Sequence, residues 1–148
     1  MDGIDIAILR VLRKQARASL SEIGQKVNLS VSAVGERIKK LEASGVISRY
    51  VAIIDGGHFH KELTAFMFVS LENPSFIESF LKFIEVENDI LECHYIAGNY
   101  DYVLKIVTDN PSTLEKLLNK IKSVAGVGKT YTNVVLATCK NNESVYPE

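Results

Sequence analysis

The sequence predicts an α+β chain in two parts, three short helices followed by a strand-rich domain, and three observations carry that expectation. Apolar residues in the first third recur at helical spacing, and beyond residue 60 runs rich in Val, Ile and Phe alternate with two amphipathic stripes. Between them lies Asp55-Gly56-Gly57-His58, a natural boundary because adjacent glycines are costly inside a regular element and cheap in a linker. A chain of 148 residues accommodates one domain or two small ones. The expected division is 1–54, a linker over 55–63, and 64–148.

In the first part, Ile4, Ile8, Val11 and Leu12 stripe one helix, with Asp2 or Asp5 favourable near its N-terminus. Ser19 and Glu22 have the S-x-x-E spacing of a capping box for a second helix that turns Ile23 and Val27 inward. Asn28-Leu29-Ser30 breaks that helix, and Ser30 caps a third that buries Val34, Ile38 and Leu41 and ends at Gly45. Val46 to Ile54 reads as a short strand, the wing of a winged helix-turn-helix.

In the second part, Thr64 to Leu71 is a strand, and Phe76, Ile77, Phe80, Phe83 and Ile84 stripe a helix. Ile90 to Ala97 and Tyr102 to Val107 are strands joined across Gly98-Asn99-Tyr100. Leu114, Leu117, Leu118 and Ile121 stripe a second helix, and Thr130 to Thr138 is the last strand. The order βαββαβ is that of a ferredoxin-like domain. An internal repeat supports it: Asn73-Pro74 and Asn110-Pro111 each supply a capping Asn followed by a Pro at the first helical position, where its missing N–H costs nothing. Two helices on one face of four strands leave the other face bare. Val, Leu and Tyr on those strands imply that a second copy covers it, so at least a dimer is expected.

The net charge of -1 conceals an asymmetry: residues 1–60 carry nine Lys/Arg against six Asp/Glu, and residues 61–148 eight against twelve. The basic half is where a polyanion would dock. No run approaches the roughly 18 apolar residues of a membrane span, and MDGIDIAILRVLRKQ lacks the basic start of a secretory signal. Cys93 and Cys139 form no CxxC pair; both lie in apolar strand-like runs and read as buried thiols in a reducing, cytoplasmic protein.

The third helix is the DNA-reading candidate. Opposite its inward stripe fall Ser32, Glu36, Lys39 and Lys40, with Ala33, Gly35 and Arg37 flanking. Small residues at its start let a backbone approach a groove, Ser30 and Ser32 offer hydroxyls, and Arg37 and Lys40 are placed for phosphates or guanine edges. Arg49 is a further phosphate candidate. Arg37 has an alternative use, an ion pair with an acidic neighbour, and the role of Glu36 is open. Gly35 signals tight clearance or nothing.

Several motifs together resemble the leucine-responsive/asparagine-regulator (Lrp/AsnC, feast/famine) family. They are Asp5 with Ile8-Leu9; Leu29-Ser30 followed by Val34, Arg37-Ile38 and Leu41-Glu42; Gly45-Val46-Ile47; then YIAGNYDYVLKI and GVGKTYTNVVL. The resemblance covers nearly the whole chain. It implies a sequence-specific transcription regulator that binds double-stranded DNA, assembles into dimers and then tetramers or octamers, and responds to a small-molecule effector, an amino acid, bound between dimers. On its own, Gly98-Asn99-Tyr100-Asp101 is an ordinary hairpin turn. The resemblance makes it part of the effector site, with Gly98 opening backbone N–H groups to a carboxylate and Asp101 accepting from an ammonium. By the same resemblance Thr130, Thr132 and Asn119 join the pocket, although the two threonines are equally well read as strand formers.

Two other functions compete with this one. An enzyme similar to the sirohaem decarboxylases shares the architecture, but His58, His60, His94 and the cysteines lack zinc-like spacing and no catalytic motif stands out. An interaction module that has lost DNA affinity sits poorly with Arg37, Lys39 and Lys40. No cofactor, metal or membrane partner is expected.

Overall fold

A computed structural model describes residues Met1–Glu148. The chain forms two compact units, one of Met1–Ile53 with Lys140–Glu148 and one of Ile54–Cys139. The division at 53–54 lies one residue from the sequence expectation, whereas the last residues, expected in the second domain, group with the first.

The first unit holds α1 (Gly3–Lys14), α2 (Leu20–Val27) and α3 (Val31–Ala43). Each helix starts at a side-chain cap that satisfies N–H groups left free in its first turn. Asp2 and Asp5 form a reciprocal capping box on α1, so both acids are used. Ser19 and Glu22 do the same on α2, and Ser30 accepts from the Ala33 N–H on α3. Ile8, Leu12, Ile23, Val34, Ile38 and Leu41 make the core. Its burial, at about 1.5–3 kcal/mol per side chain, holds three helices that are each too short to persist alone.

The α2–α3 turn depends on Gly24 and Asn28. Asn28 takes the left-handed conformation, φ 59°, which Asn tolerates better than most residues. The Leu29 N–H then returns to the Gly24 carbonyl at 3.0 Å. Gly24 is buried, and a Cβ there would lie 2.6 Å from the Leu29 carbonyl oxygen. The chain can fold back this tightly only because that position has no side chain.

The expected wing is absent. Residues 46–54 form no strand, and Val46, Tyr50, Val51, Ile53 and Ile54 are exposed. A strand needs a partner edge, and the first unit is otherwise helical. What fixes this segment is local: the Ile47 N–H bonds the Leu41 carbonyl, and the Tyr50 hydroxyl donates to Glu42 at 2.9 Å. Although about half of the Tyr50 side chain is exposed, loss of water around its hydroxyl where it meets Glu42, with the hydrogen bond to that carboxylate, pushes the hydroxyl up to about 12.

The second unit runs β1 (Leu63–Leu71), α4 (Ile77–Val86), β2 (Ile90–Tyr95), β3 (Tyr102–Thr108), α5 (Pro111–Lys122) and β4 (Val127–Val134). The sheet is antiparallel throughout in the order β2-β3-β1-β4, the ferredoxin-like topology that the βαββαβ pattern predicts. Asn110 caps α5, but Asn73 caps a short 3-10 turn, Pro74–Phe76, from which α4 continues. β4 begins at Val127, earlier than expected, directly after Gly126 at φ +82°, where a Cβ would strike Phe76. Ala65, Met67, Val69, Leu104 and Ile106 point to one face and pack with Phe80, Ile84, Leu114, Leu117 and Ile121.

The opposite face carries Phe66, Phe68, Val103, Lys105, Tyr131 and Asn133. Phe66 pairs with Lys105 and Asn133 across the strands, and Phe68 with Val103 and Tyr131. Phe66 is 37% and Tyr131 53% exposed. Cys93 lies half-buried on β2, where burial pushes its thiol up; Cys139 lies past the end of β4 and is exposed, contrary to the expected burial. No helix is long and apolar enough to cross a membrane.

Candidate nucleic-acid interface and effector site

On α3 the structure separates the candidate residues into two groups. Ser32, Glu36, Lys39 and Lys40 are all exposed, and their spacing of four, three and one places them on one face, opposite buried Val34, Ile38 and Leu41. Arg49, past the helix, is also exposed. Neither Lys39, Lys40 nor Arg49 enters an ion pair. Ser30 spends its hydroxyl on the helix cap and lies 3.1 Å from the Ser32 hydroxyl.

Arg37 behaves differently. One guanidinium nitrogen lies 2.8 Å from Asp2 and 2.7 Å from Asp5, so the side chain ties α3 to the capped start of α1. The reciprocal backbone bonds of the cap hold the Asp2 and Asp5 carboxyls below their ordinary values, and Arg37 pulls them further down. Both carboxylates in turn push the Arg37 guanidinium up. Of the two uses open to Arg37 from sequence, the structure takes the ion pair.

Ala33, Glu36, Arg37 and Lys40 border an open groove of about 670 Å³ with Met1, Asp5, Leu41, Ser44 and Val46. Gly35 has only the Leu20 side chain near it, 3.4 Å from where a Cβ would sit.

In the second unit the Gly98–Asp101 turn joins β2 to β3. Gly98 has φ +151°, open to glycine and strained for other residues, and a Cβ added there would meet nothing within 4 Å. Tyr100 leaves the turn toward the bare sheet face, its ring 5.8 Å from that of Phe68. The Asn99 carbonyl is 3.5 Å from the Ser70 hydroxyl. Asp101 is tied to β1 twice: its N–H donates to the Val69 carbonyl at 3.0 Å, and its carboxylate accepts from the Leu71 N–H at 2.7 Å. That carboxylate therefore closes the irregular end of β1, where the β1–β4 register shifts between Val69 and Leu71.

A cleft of about 190 Å³ opens here, lined by Leu71, Glu72, Asn73, Pro74, Ile77, Tyr95, Asp101 and Tyr102. Among the effector candidates only Asp101 lines it. Thr130 pairs with Val69 and Thr132 with Met67, so both project to the helix-covered face, half-buried. Asn119 is exposed on α5. Sequence reasoning misses Tyr95 and Tyr102 as cleft residues, since both look like ordinary strand aromatics. It finds the Glu72-Asn73-Pro74 corner only as a helix start.

A capped three-helix unit with a basic exposed helix, joined to a ferredoxin-like domain with a cleft at one hairpin, defines a helix-turn-helix transcription regulator with a separate ligand-binding domain. Residues 1–42 match the AsnC-type helix-turn-helix domain and residues 64–145 the Lrp/AsnC ligand binding domain. The chain is 38% identical over 121 residues to the HTH-type transcriptional regulator LrpB of Bacillus subtilis, covering 82% of this chain and 80% of that protein. It is 36% identical to the HTH-type transcriptional regulator FL11 of Pyrococcus abyssi, covering 95% and 92%. A transcriptional regulator from Neisseria meningitidis, solved as its L-Met complex, superposes with a TM-score of 0.93 at 28% identity over 98% of this chain and 96% of that one. The chain belongs to the Lrp/AsnC family of transcription regulators.

Proposed function

We propose that α3 is the recognition helix and that Ser32, Glu36, Lys39 and Lys40, with Arg49 beyond, face the duplex, while Arg37 positions the helix without touching DNA. The carrying observation is the division on one helix: Lys39 and Lys40 are exposed and unpaired, and Arg37 is bound to Asp2 and Asp5. A guanidinium with two carboxylates within 3 Å of it presents no net positive charge to a phosphate, so it gains little from DNA even though its Nε and second Nη remain free to donate. Free lysines release condensed counterions from DNA on binding, which makes affinity fall with salt.

The sheet domain, on this reading, assembles and senses. A second copy covers the bare face through Phe66, Phe68 and Tyr131, and dimers combine further into tetramers or octamers, so that several modest DNA contacts add through tethering. An amino acid is the effector, received at the Gly98–Asp101 hairpin. The Neisseria relative's L-Met complex supports the ligand class, and the Asp101-lined cleft supports the place. Thr130, Thr132 and Asn119 enter such a site only if a second dimer brings it to them. The chain acts as a cytoplasmic regulator rather than an enzyme, a reading supported by relatives that are transcription regulators.

The test is a titration of duplex DNA across salt concentrations. Lys39→Ala and Lys40→Ala each lower the slope of log affinity on log salt by about 0.9 if each neutralises a phosphate. Arg37→Gln leaves the slope unchanged. A slope lowered by Arg37→Gln and untouched by the lysine variants would overturn the assignment.

A further inference from the structure

The C-terminal segment does not end with the sheet domain. From Lys140 it belongs to the first unit, where it lies on α1. Ile8 and Leu12 turn one face of α1 into the core, and Arg10 and Arg13, three residues apart, stand on another. The Tyr146 ring is shared by both guanidinium groups, whose central carbons lie 5.2 and 5.5 Å from its centroid. Each arginine also donates its Nε–H to a tail carbonyl, Arg10 to Pro147 at 3.1 Å and Arg13 to Ser144 at 3.3 Å. A guanidinium combines these uses because its plane stacks on a ring while its edge donates hydrogen bonds. Val145, between Ser144 and Tyr146, is 84% exposed, so the contact is made by Ser144, Tyr146 and Pro147 and leaves Val145 facing away from α1.

We propose that the outward face of α1 is a docking site for this chain's own C-terminal segment, and that the docked segment is a second tether between the ligand-binding domain and the DNA-binding unit. The chain passes between the two units at 53–54 and again at 139–140. The second passage restrains the units only when Tyr146 is seated between Arg10 and Arg13. Those two arginines are then part of an internal clamp and not of the DNA surface. The inference is independent of which residues of α3 read DNA.

The test uses the full chain with Cys93→Ser and Cys139→Ser, to which Lys14→Cys, exposed on α1 next to the two arginines and outside the clamp, and Ser144→Cys are added, treated with a short bismaleimide crosslinker. The expected product is crosslinked within one chain and runs as a monomer in denaturing gels. A covalent dimer would show that the face receives a second copy's tail, and no crosslink would show that the tail is not docked; either overturns the proposal. A companion measurement needs no cysteine. Carboxypeptidase digestion of the full chain should run about tenfold faster in the double variant Arg10→Gln/Arg13→Gln and in Tyr146→Ala, since cleavage follows the released fraction. Equal rates in all three would overturn it. The internally crosslinked protein should keep its DNA affinity, and a tenfold loss would mean the docked tail is not the working state.

Discussion

Two glycines sit inside adjacent helices of the DNA-binding unit, and the structure predicts opposite outcomes for the same substitution. Helix propensity alone favours Ala over Gly by about 1 kcal/mol at either site. At Gly35 nothing opposes that gain, because the new Cβ meets only the end of the Leu20 side chain at 3.4 Å, an ordinary contact. At Gly24 the Cβ falls 2.6 Å from the Leu29 carbonyl oxygen, about 0.8 Å inside ordinary contact. That oxygen belongs to the backbone of the turn, which is pinned by the Leu29 N–H bond back to Gly24 itself, so relief requires α2 and α3 to separate. Overpacking of this kind costs about 1–3 kcal/mol, which outweighs the propensity gain. Gly24→Ala should therefore destabilise the unit by up to about 2 kcal/mol, and Gly35→Ala should stabilise it by up to about 1 kcal/mol. In scanning calorimetry, 1 kcal/mol in a unit of this size moves the midpoint by about 4–8 °C. A Gly24→Ala protein whose helical unit melts at or above the wild-type temperature would refute the reasoning, since propensity would then have won over the clash.

Other expectations follow from the same contacts. Asp101→Ala, which leaves the Leu71 N–H without its charged acceptor, should cost the sheet domain about 1–3 kcal/mol in urea denaturation, whereas Asp101→Asn keeps an oxygen there and should cost less. The Asn variant is accordingly the cleaner probe of effector response, read as loss of an amino-acid-dependent thermal shift. Phe68→Glu buries a carboxylate in the middle of the bare sheet face if a second copy covers it, so sedimentation should show dissociation to monomers. With both carboxyl pKa values depressed in the folded chain, the stability from Asp2 and Asp5 is complete above their ordinary value of 3.8 and is lost as pH falls through the lower folded values. Arg37→Gln should move both NMR carboxyl titrations up toward 3.8, and unmoved titrations would place the whole shift in the capping box.

The secondary structure was legible where the physics is local. Capping pairs such as Ser19 with Glu22, the Asn-Pro helix starts, and stripes at helical spacing act within a few residues, and the βαββαβ order follows from them. The exposed face of α3 was legible for the same reason, since one helix period fixes which residues oppose Val34, Ile38 and Leu41. Sequence also identified the family, because its motifs recur in order along the chain.

What residues contact across long separations was decided only by the tertiary structure. Arg37 was a cation available for DNA until folding brought Asp2 and Asp5, more than thirty positions away, within 3 Å of it. Asp101 was a turn acid until β1 presented the Leu71 N–H to it. The Val46–Ile54 segment has strand-forming residues but no partner edge, and β propensity without a partner builds no strand. The C-terminal segment carries no periodicity at all; its place on α1 arises from two guanidinium groups and one ring that share a surface only after folding. Local pattern specifies which face of an element is buried, and the distances between elements decide what each polar side chain is then free to do.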